Sequence, residues 1–575
     1  MNDQGQANGG SLGDRLLDAW RSLLTEREDQ VFLALTLLIG ALVGLAVVAF
    51  IALTGRFAAQ LYPPGGVAWR IFLVPVAGSL LMGYLLYKYF PDARGSGVPQ
   101  TKAALYARDG YISMPTVLGK FFCTSATLAS GIPLGREGPA VQVGAGIASV
   151  LGRKLGLRPE RVKSLLPVGA AAAVAAAFNT PLAAVLFALE EVVGDLHAPV
   201  LGSVVLASAT SWGVLRLLLG NEPLFQVPQY QLVNAWELVI YALLGVAGGF
   251  VSVAFTQLLL RARMWFRRLP KKTVWFQPVV GGLLVGTMGL FVPTVMGVGY
   301  QYVGDALNDS LTLKVMVTLL ALKLVATAIS YASGNAGGIF GPSLFLGAML
   351  GGAIGSVAHQ SFPQYVASPG AYALVGMGAA FAGIVRAPMT SVVMIFEITR
   401  DYSVIVPLMI ANLMSYFISS KLQHEPIYEQ LAEQDGIHLP RIGRHQPRRR
   451  QVRNLLRPAE QILSAEEPLE QALLAARQGA LQTWIVSDAR GITGVVTRRQ
   501  LEEAAAQSNA GIAVRDLVDS ADFPHVHSDH SLEDALERMG ASHLDLLPVV
   551  GRGNVNGLLG VVRLEDVLKS YGVEQ

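Results

Sequence analysis

The chain has 575 residues, 52% of them hydrophobic and only 15% charged, with a mean hydropathy of +0.45. A soluble protein with that balance could not cover its apolar surface, so the composition points to the membrane. The single cysteine, Cys123, excludes an intramolecular disulfide framework and a cysteine-rich metal site, and the net charge of +3 selects no partner.

Residues 1–29 carry Asp14, Glu26, Glu28 and Asp29 and lack a small-residue cleavage site, so they do not read as a signal peptide. Leu12, Leu16, Trp20 and Leu23 fall at helical spacing and predict an amphipathic helix over 11–26, lying along the membrane surface. From about 30 to 420 the chain is nearly continuous apolar helix. Candidate segments run near 30–60, 67–90, 113–133, 139–152, 165–193, 199–219, 234–262, 274–293, 313–333, 340–358, 369–398 and 403–420. Several are too short for ~30 Å of hydrocarbon, which takes about 20 helical residues. Others are broken by Gly and Pro, which is tolerated at membrane depth only where the backbone lines a protein cavity.

Within this region the chain repeats itself. Gly135-Arg136-Glu137-Gly138-Pro139 returns as Gly338-Ile339-Phe340-Gly341-Pro342, an offset of 203. Val168-Gly169, Pro181 and Glu190 return as Val375-Gly376, Pro388 and Glu397, with identical internal spacings. Gly95-Ser96-Gly97 returns as Gly297-Val298-Gly299. Two homologous halves, 30–220 and 221–430, are the signature of a repeat-built transporter with its site at the midplane between them.

The Gly-rich turns at 135–139 and 338–342 open helices inside the membrane. A helix N-terminus there offers unpaired N–H groups and about half a positive charge, an anion site that needs no cation. Gly95–Pro99 adds a third loop with a hydroxyl donor at Ser96. Glu137 stands opposite Phe340 in the other half, so the turn itself does not require a carboxylate. A carboxylate beside helix N-termini can occupy the place of a permeating anion and leave it on protonation. Glu190 is matched by Glu397 and reads as a shared structural residue. Glu191 is matched by Ile398 and is the better proton-relay candidate.

After 421 the composition changes. Residues 431–458 form a basic linker, with Arg441, Arg444, Arg448, Arg449, Arg450 and Arg453, and basic residues next to a membrane end favour the cytosol. Residues 459–575 hold a second repeat. Leu469–Leu473 matches Leu532–Leu536, and Gly494-Val495-Val496 matches Gly560-Val561-Val562. Each copy reads helix, strand, turn, strand, helix. His525, His527, Asp529 and His530 lie where a strand meets a turn and read as solvent-exposed histidines rather than a metal site. Arg267, Arg268, Lys271 and Lys272 form a polar loop suited to lipid headgroups rather than nucleic acid. No nucleophile–base pair or metal cluster supports an enzyme.

Taken together, GSGVP at 95–99, GREGP at 135–139, GGIFGP at 337–342 and AAAFNTPLAAVLFALEEV at 175–192 resemble the CLC family of chloride channels and chloride/proton antiporters. The C-terminal pair resembles tandem CBS domains. The resemblance implies an all-α polytopic membrane protein of two inverted repeats with broken helices, followed by an α/β CBS pair. It implies that chloride is bound by the Ser96 hydroxyl, the Ile339 and Phe340 N–H groups and the Tyr428 hydroxyl. It assigns the gate to Glu137 and the inner proton relay to Glu191. A chloride/proton antiporter is expected, with a passive voltage- or pH-gated chloride channel as the alternative. The resemblance further implies a homodimer in the plasma (inner) membrane with cytosolic termini. In the CBS tails the first copy has Thr497 but Gln500, and the second has Asp566 but Arg563. Those departures weigh against an adenine nucleotide, and no cofactor is expected beyond chloride as substrate.

Overall fold

The computed structural model describes residues 28–571 except 66, 197–198, 221–223, 226, 229, 231, 401, 438, 440–450, 460–461, 479–481, 490, 508–511, 519–522, 529 and 552–553. The amphipathic helix expected over 11–26 and most of the linker arginines lie outside the described residues. The chain divides into two compact units, 1–440 and 441–575.

The first unit is helical throughout, and its elements come in two matched sets of eight. The first set is α1 Glu28–Leu61, α2 Ala68–Lys88, α3 Val98–Ala107, α4 Met114–Ala129, α5 Glu137–Lys154, α6 Pro159–Phe178, α7 Pro181–Phe187 and α8 Leu201–Leu219. The second is α9 Glu237–Arg268, α10 Pro278–Phe291, α11 Tyr300–Leu307, α12 Leu313–Ala332, α13 Phe340–Ser361, α14 Pro369–Ile384, α15 Pro388–Thr399 and α16 Ile405–Leu422; a short α17, Ile427–Gln434, follows. Among the described residues, eight helices are long and apolar enough to cross a membrane. Contacts repeat with the sequence: α5 packs on α6 as α13 packs on α14, and α1 on α8 as α9 on α16.

Two segments read as single runs, 165–193 and 369–398, are each two helices. Asn179 and Arg386 take left-handed φ values of 60° and 67° just before Pro181 and Pro388. A proline cannot continue the preceding helix but suits the first turn of a new one, so both breaks are written locally. The short helices α3 and α11 were missed because ten and eight residues carry little periodic signal.

Small residues let the central helices touch. A side chain on Gly144 would strike the Gly169 carbonyl, and one on Gly347 would strike the Gly376 carbonyl, so the same glycine crossing joins α5 to α6 and α13 to α14. Such close approach replaces the hydrophobic drive that a membrane interior does not supply. Leu217, Phe291 and Trp236 point outward, each more than three-quarters exposed, as expected of a surface facing lipid.

The second unit holds two three-stranded sheets. In the first, β1 Ile462–Ser464 runs parallel to β2 Thr483–Asp488, which pairs antiparallel with β3 Gly491–Thr497; α18 Leu469–Gln478 and α19 Arg498–Ala506 complete it. In the second, β4 Val526–His527, β5 Leu546–Gly551 and β6 Asn554–Arg563 repeat that order, with α20 Leu532–Ser542 and α21 Leu564–Ser570. Sequence reading omitted β1, which is too short to show alternation; β4 lies where the histidine stretch was read as a strand meeting a turn. Ile485, Ile492, Phe523, Leu546, Val550 and Val561 form one apolar cluster across both copies. The histidines are half-buried rather than exposed. His525, His527 and His530 stand ring to ring at 5.3 and 4.9 Å, and His527 Nδ1 lies 3.0 Å from the Val550 carbonyl, because β4 pairs with β5 there.

Candidate ion-binding site

The two repeats meet at their Gly-rich turns. Gly135 and Gly338 exchange both backbone hydrogen bonds at 2.7 Å, an antiparallel bridge that is the local mark of a two-fold relation. The next residues open α5 at Glu137 and α13 at Phe340, which brings two helix N-termini together in the middle of the unit.

At α13 the supply of free donors can be counted. Pro342 has no N–H, and Ser343 N–H already bonds the Ile339 carbonyl at 3.0 Å. The donors this helix end offers are therefore those of Ile339, Phe340 and Gly341. The Glu137 carboxylate crosses from the other half to take the last of them: Gly341 N–H donates to Oε2 at 3.2 Å. Its Oε1 accepts from the Tyr300 hydroxyl and lies 3.9 Å from Arg136 Nε. Glu137 is fully buried, so its charge rests on a helix N-terminus and these neighbours. Phe340, its counterpart, packs among Phe178, Phe187 and Phe381 with ring centroids 4.4–5.5 Å away. The same position is a core side chain in one half and a polar arm in the other.

Ser96 and Tyr428 are both fully buried, and neither hydroxyl has a hydrogen-bond partner among the described residues. Burying a hydroxyl without a partner costs several kcal/mol in an apolar medium, on the order of 2–7. Two such groups side by side therefore mark a place for something that accepts hydrogen bonds. Ser96, Tyr331, Glu191 and Glu137 are the polar groups around the Tyr428 hydroxyl. Ser96 is held by its backbone: its N–H donates to Tyr331 Oη at 3.2 Å. Gly97, with φ of 106°, turns the chain against the Gly138 carbonyl, where a side chain would collide. Beside this loop a cavity of about 510 Å³ reaches Gly95 and Tyr331, with Arg94, Arg108, Arg263, Arg267 and Lys271 in its wall; Asp92 and Asp435, also in the wall, pair with Arg108 and with Arg263 and Arg267.

The neighbouring glutamates divide cleanly. Glu190 accepts from Met389 N–H at 3.2 Å, Thr390 N–H at 2.8 Å and the Thr390 hydroxyl at 2.7 Å, capping α15 of the other half. Glu397 returns the arrangement on α7, accepting from Leu182 and Ala183 N–H at 2.9 and 2.7 Å. Glu191 does neither. It is buried, and its Oε1 is 2.9 Å from Lys102 Nζ. Both glutamates sit on a π-helical turn, Ala188–Val193, that follows α7; α15 continues without one. Such turns recur at functional sites because the extra residue re-aims side chains.

Sequence reading missed five partners. Tyr300, Lys102 and Glu429 are tied to the site only by folding. The matched pair Lys120 and Lys323, at an offset of 203, was legible as ionisable residues inside apolar segments. Both are fully buried. Lys120 Nζ donates to the Ala93 and Gly95 carbonyls at 3.0 and 2.5 Å, and Lys323 Nζ to those of Val295 and Gly297 at 3.0 and 2.6 Å. Each Nζ pins the loop that precedes α3 or α11.

In the C-terminal unit Thr497 and Gln500 cap α19 reciprocally, at 2.8 and 3.3 Å. Asp566 is paired with Arg457 at 2.5 Å.

The chain is similar to a ClcB-like chloride channel protein of Ralstonia nicotianae, 34% identical over 381 residues, covering 65% of this chain and 88% of that protein. It is similar to the "H(+)/Cl(-) exchange transporter ClcA" of Vibrio campbellii, 34% identical over 354 residues, covering 60% and 76%. The crystal structure of a slow cyanobacterial Cl⁻/H⁺ antiporter superposes with a TM-score of 0.66 at 26% identity, over 72% of this chain and 99% of that one. Residues 514–572 match the CBS domain family. Residues 78–420 match the family described as "Voltage gated chloride channel", and with the repeat, the broken helices and the paired N-termini already in place, the chain belongs to that family.

Proposed function

We propose that this protein is a chloride/proton antiporter. Chloride binds between the Ser96 and Tyr428 hydroxyls and the N–H groups of Ile339 and Phe340, Glu137 is the gate and outer proton carrier, and Glu191 is the inner proton relay. One observation carries the reading. Glu137 places a carboxylate on the N-terminus of α13 while two buried hydroxyls stand unpartnered in the same site. An anionic side chain on the donors an anion would use is a competitor for that anion. Protonation removes its charge and its hold on the helix end, so proton binding and anion entry are linked through one group. The names of the relatives support exchange of chloride for protons, and the cavity beside the Ser96 loop carries more basic than acidic side chains, which favours anion approach.

The same reading places the basic stretch Arg267–Lys272, which spans the end of α9 and the turn after it rather than a loop alone, and the basic linker on the cytosolic side of the plasma membrane, among lipid headgroups. It includes the homodimer with one pathway per subunit that the family resemblance implies. It places no nucleotide on the CBS pair, since Thr497 is engaged in a helix cap and Asp566 in an ion pair.

The test is reversal potential in reconstituted liposomes with chloride and proton gradients varied independently. For an antiporter the potential moves with both gradients. A potential that follows chloride alone selects the passive channel.

A further inference from the structure

Lys102 is a buried ammonium on α3 shared by two carboxylates. Glu191 Oε1 is 2.9 Å away on one side and Glu429 Oε1 is 2.6 Å away on the other. The side chains are graded in exposure: 25% for Glu429, 9% for Lys102 and 6% for Glu191. Glu429 is the most exposed of the three, and Lys102 bridges it to Glu191. The second oxygen of Glu429, Oε2, is buried and has no hydrogen-bond partner among the described residues.

The surroundings are sparse in charge. Tyr106, on α3, donates to the Val193 carbonyl, and Glu190 is occupied in capping α15. From α9, Arg263 reaches the far end of α17, bonding the Gln434 side chain at 2.9 Å and Asp435 at 2.6 Å. The three groups carry two negative charges and one positive, so the set has room for one proton at net neutrality. Tyr428 and Glu429 are consecutive on α17, about 100° apart around the helix. One lies at the anion site and the other at Lys102, so a proton on this route need not pass through the chloride site.

Resting on the antiporter reading above, we propose that Glu429 and Lys102 form the loading end of the proton route to Glu191. A proton from water binds Glu429. Lys102 then gives one N–H proton to the Glu191 carboxylate and takes the O–H proton of Glu429 in its place. The products are a Glu429 carboxylate, an unchanged Lys102 ammonium and a protonated Glu191; one proton has moved and charge is conserved.

Two substitutions test this in liposomes. Glu429→Gln removes the loading acid. Lys102→Arg keeps the charge and both ion pairs but substitutes a group that does not give up its proton in proteins. Loss of a positioned acid or base typically costs 10²–10⁴-fold, so each variant is expected to lose at least about tenfold in proton flux, with chloride flux within about twofold of wild type. Glu429→Asp, which retains a carboxyl group, should recover part of the proton flux. Wild-type proton-to-chloride ratio in either Glu429→Gln or Lys102→Arg overturns the proposal. If Lys102→Arg loses both fluxes, Glu429→Gln, at the most exposed position of the three, decides alone. A wild-type protein that moves no protons would instead overturn the antiporter reading itself, so the two failures are distinguishable.

Discussion

Glu137 shows how much one side chain can be asked to do. Its carboxylate is buried, rests on the Gly341 N–H and accepts from Tyr300. Glu137→Gln keeps the shape and removes the charge, mimicking the protonated carboxyl group. Chloride flux is expected to persist or rise while proton movement stops; chloride-driven proton uptake surviving in that variant would remove Glu137 from the proton path. Ser96 is the complementary case, a buried hydroxyl waiting for an acceptor. A hydrogen bond to a charged partner is worth ~1.5–3 kcal/mol, and Ser96→Pro should forfeit it. The measurable outcome is a weaker preference for chloride over nitrate. Equal relative permeabilities before and after would mean that Ser96 does not line the site. Both residues were legible in the sequence, Glu137 because its repeat partner is Phe340 and Ser96 through the family loop. Tyr300 was not: it corresponds to no polar residue in the other half, and only the packing of α11 against the start of α13 brings its hydroxyl to Glu137.

At the level of elements, the repeat explains why adjacent glutamates behave differently. Glu190 and Glu397 each hold the first turn of a helix in the opposite half, reciprocal caps that tie α7 to α15. A lost cap costs about 0.5–2 kcal/mol, more where the acceptor is charged. Glu190→Gln and Glu397→Gln should both lower protein recovery and thermal stability in detergent, leaving the proton-to-chloride ratio of the surviving protein unchanged. Glu191→Gln should do the reverse, with normal recovery and chloride flux but impaired proton flux. Should Glu190→Gln abolish proton flux while Glu191→Gln leaves it normal, the division is backwards. Sequence spacing alone marked Glu190 as shared and Glu191 as unique. It could not show why neighbours diverge, because that depends on a π-helical turn present after α7 and absent from α15, although Pro181–Glu190 and Pro388–Glu397 have identical spacing.

The whole molecule is two units that solve different solvent problems. The membrane unit turns apolar side chains outward and keeps its polar groups at the centre, whereas the C-terminal unit buries its own apolar clusters. The cluster containing Ile485, Phe523 and Leu546 joins its two copies. Residues 441–575 expressed alone should therefore unfold in a single cooperative transition by circular dichroism; two separated transitions would show that the copies fold independently. The sequence by itself determined the membrane class, the two-fold repeat and the three Gly-rich loops. Those features are local or periodic, so composition, turn chemistry and spacing record them. Only the tertiary structure decided which groups share a site: Tyr300 against Glu137, Lys102 between Glu191 and Glu429, and Lys120 and Lys323 on the loop carbonyls. Lys102 and Glu429 are 327 residues apart in the chain, and no local signal encodes a contact that exists because two repeats fold around a common axis.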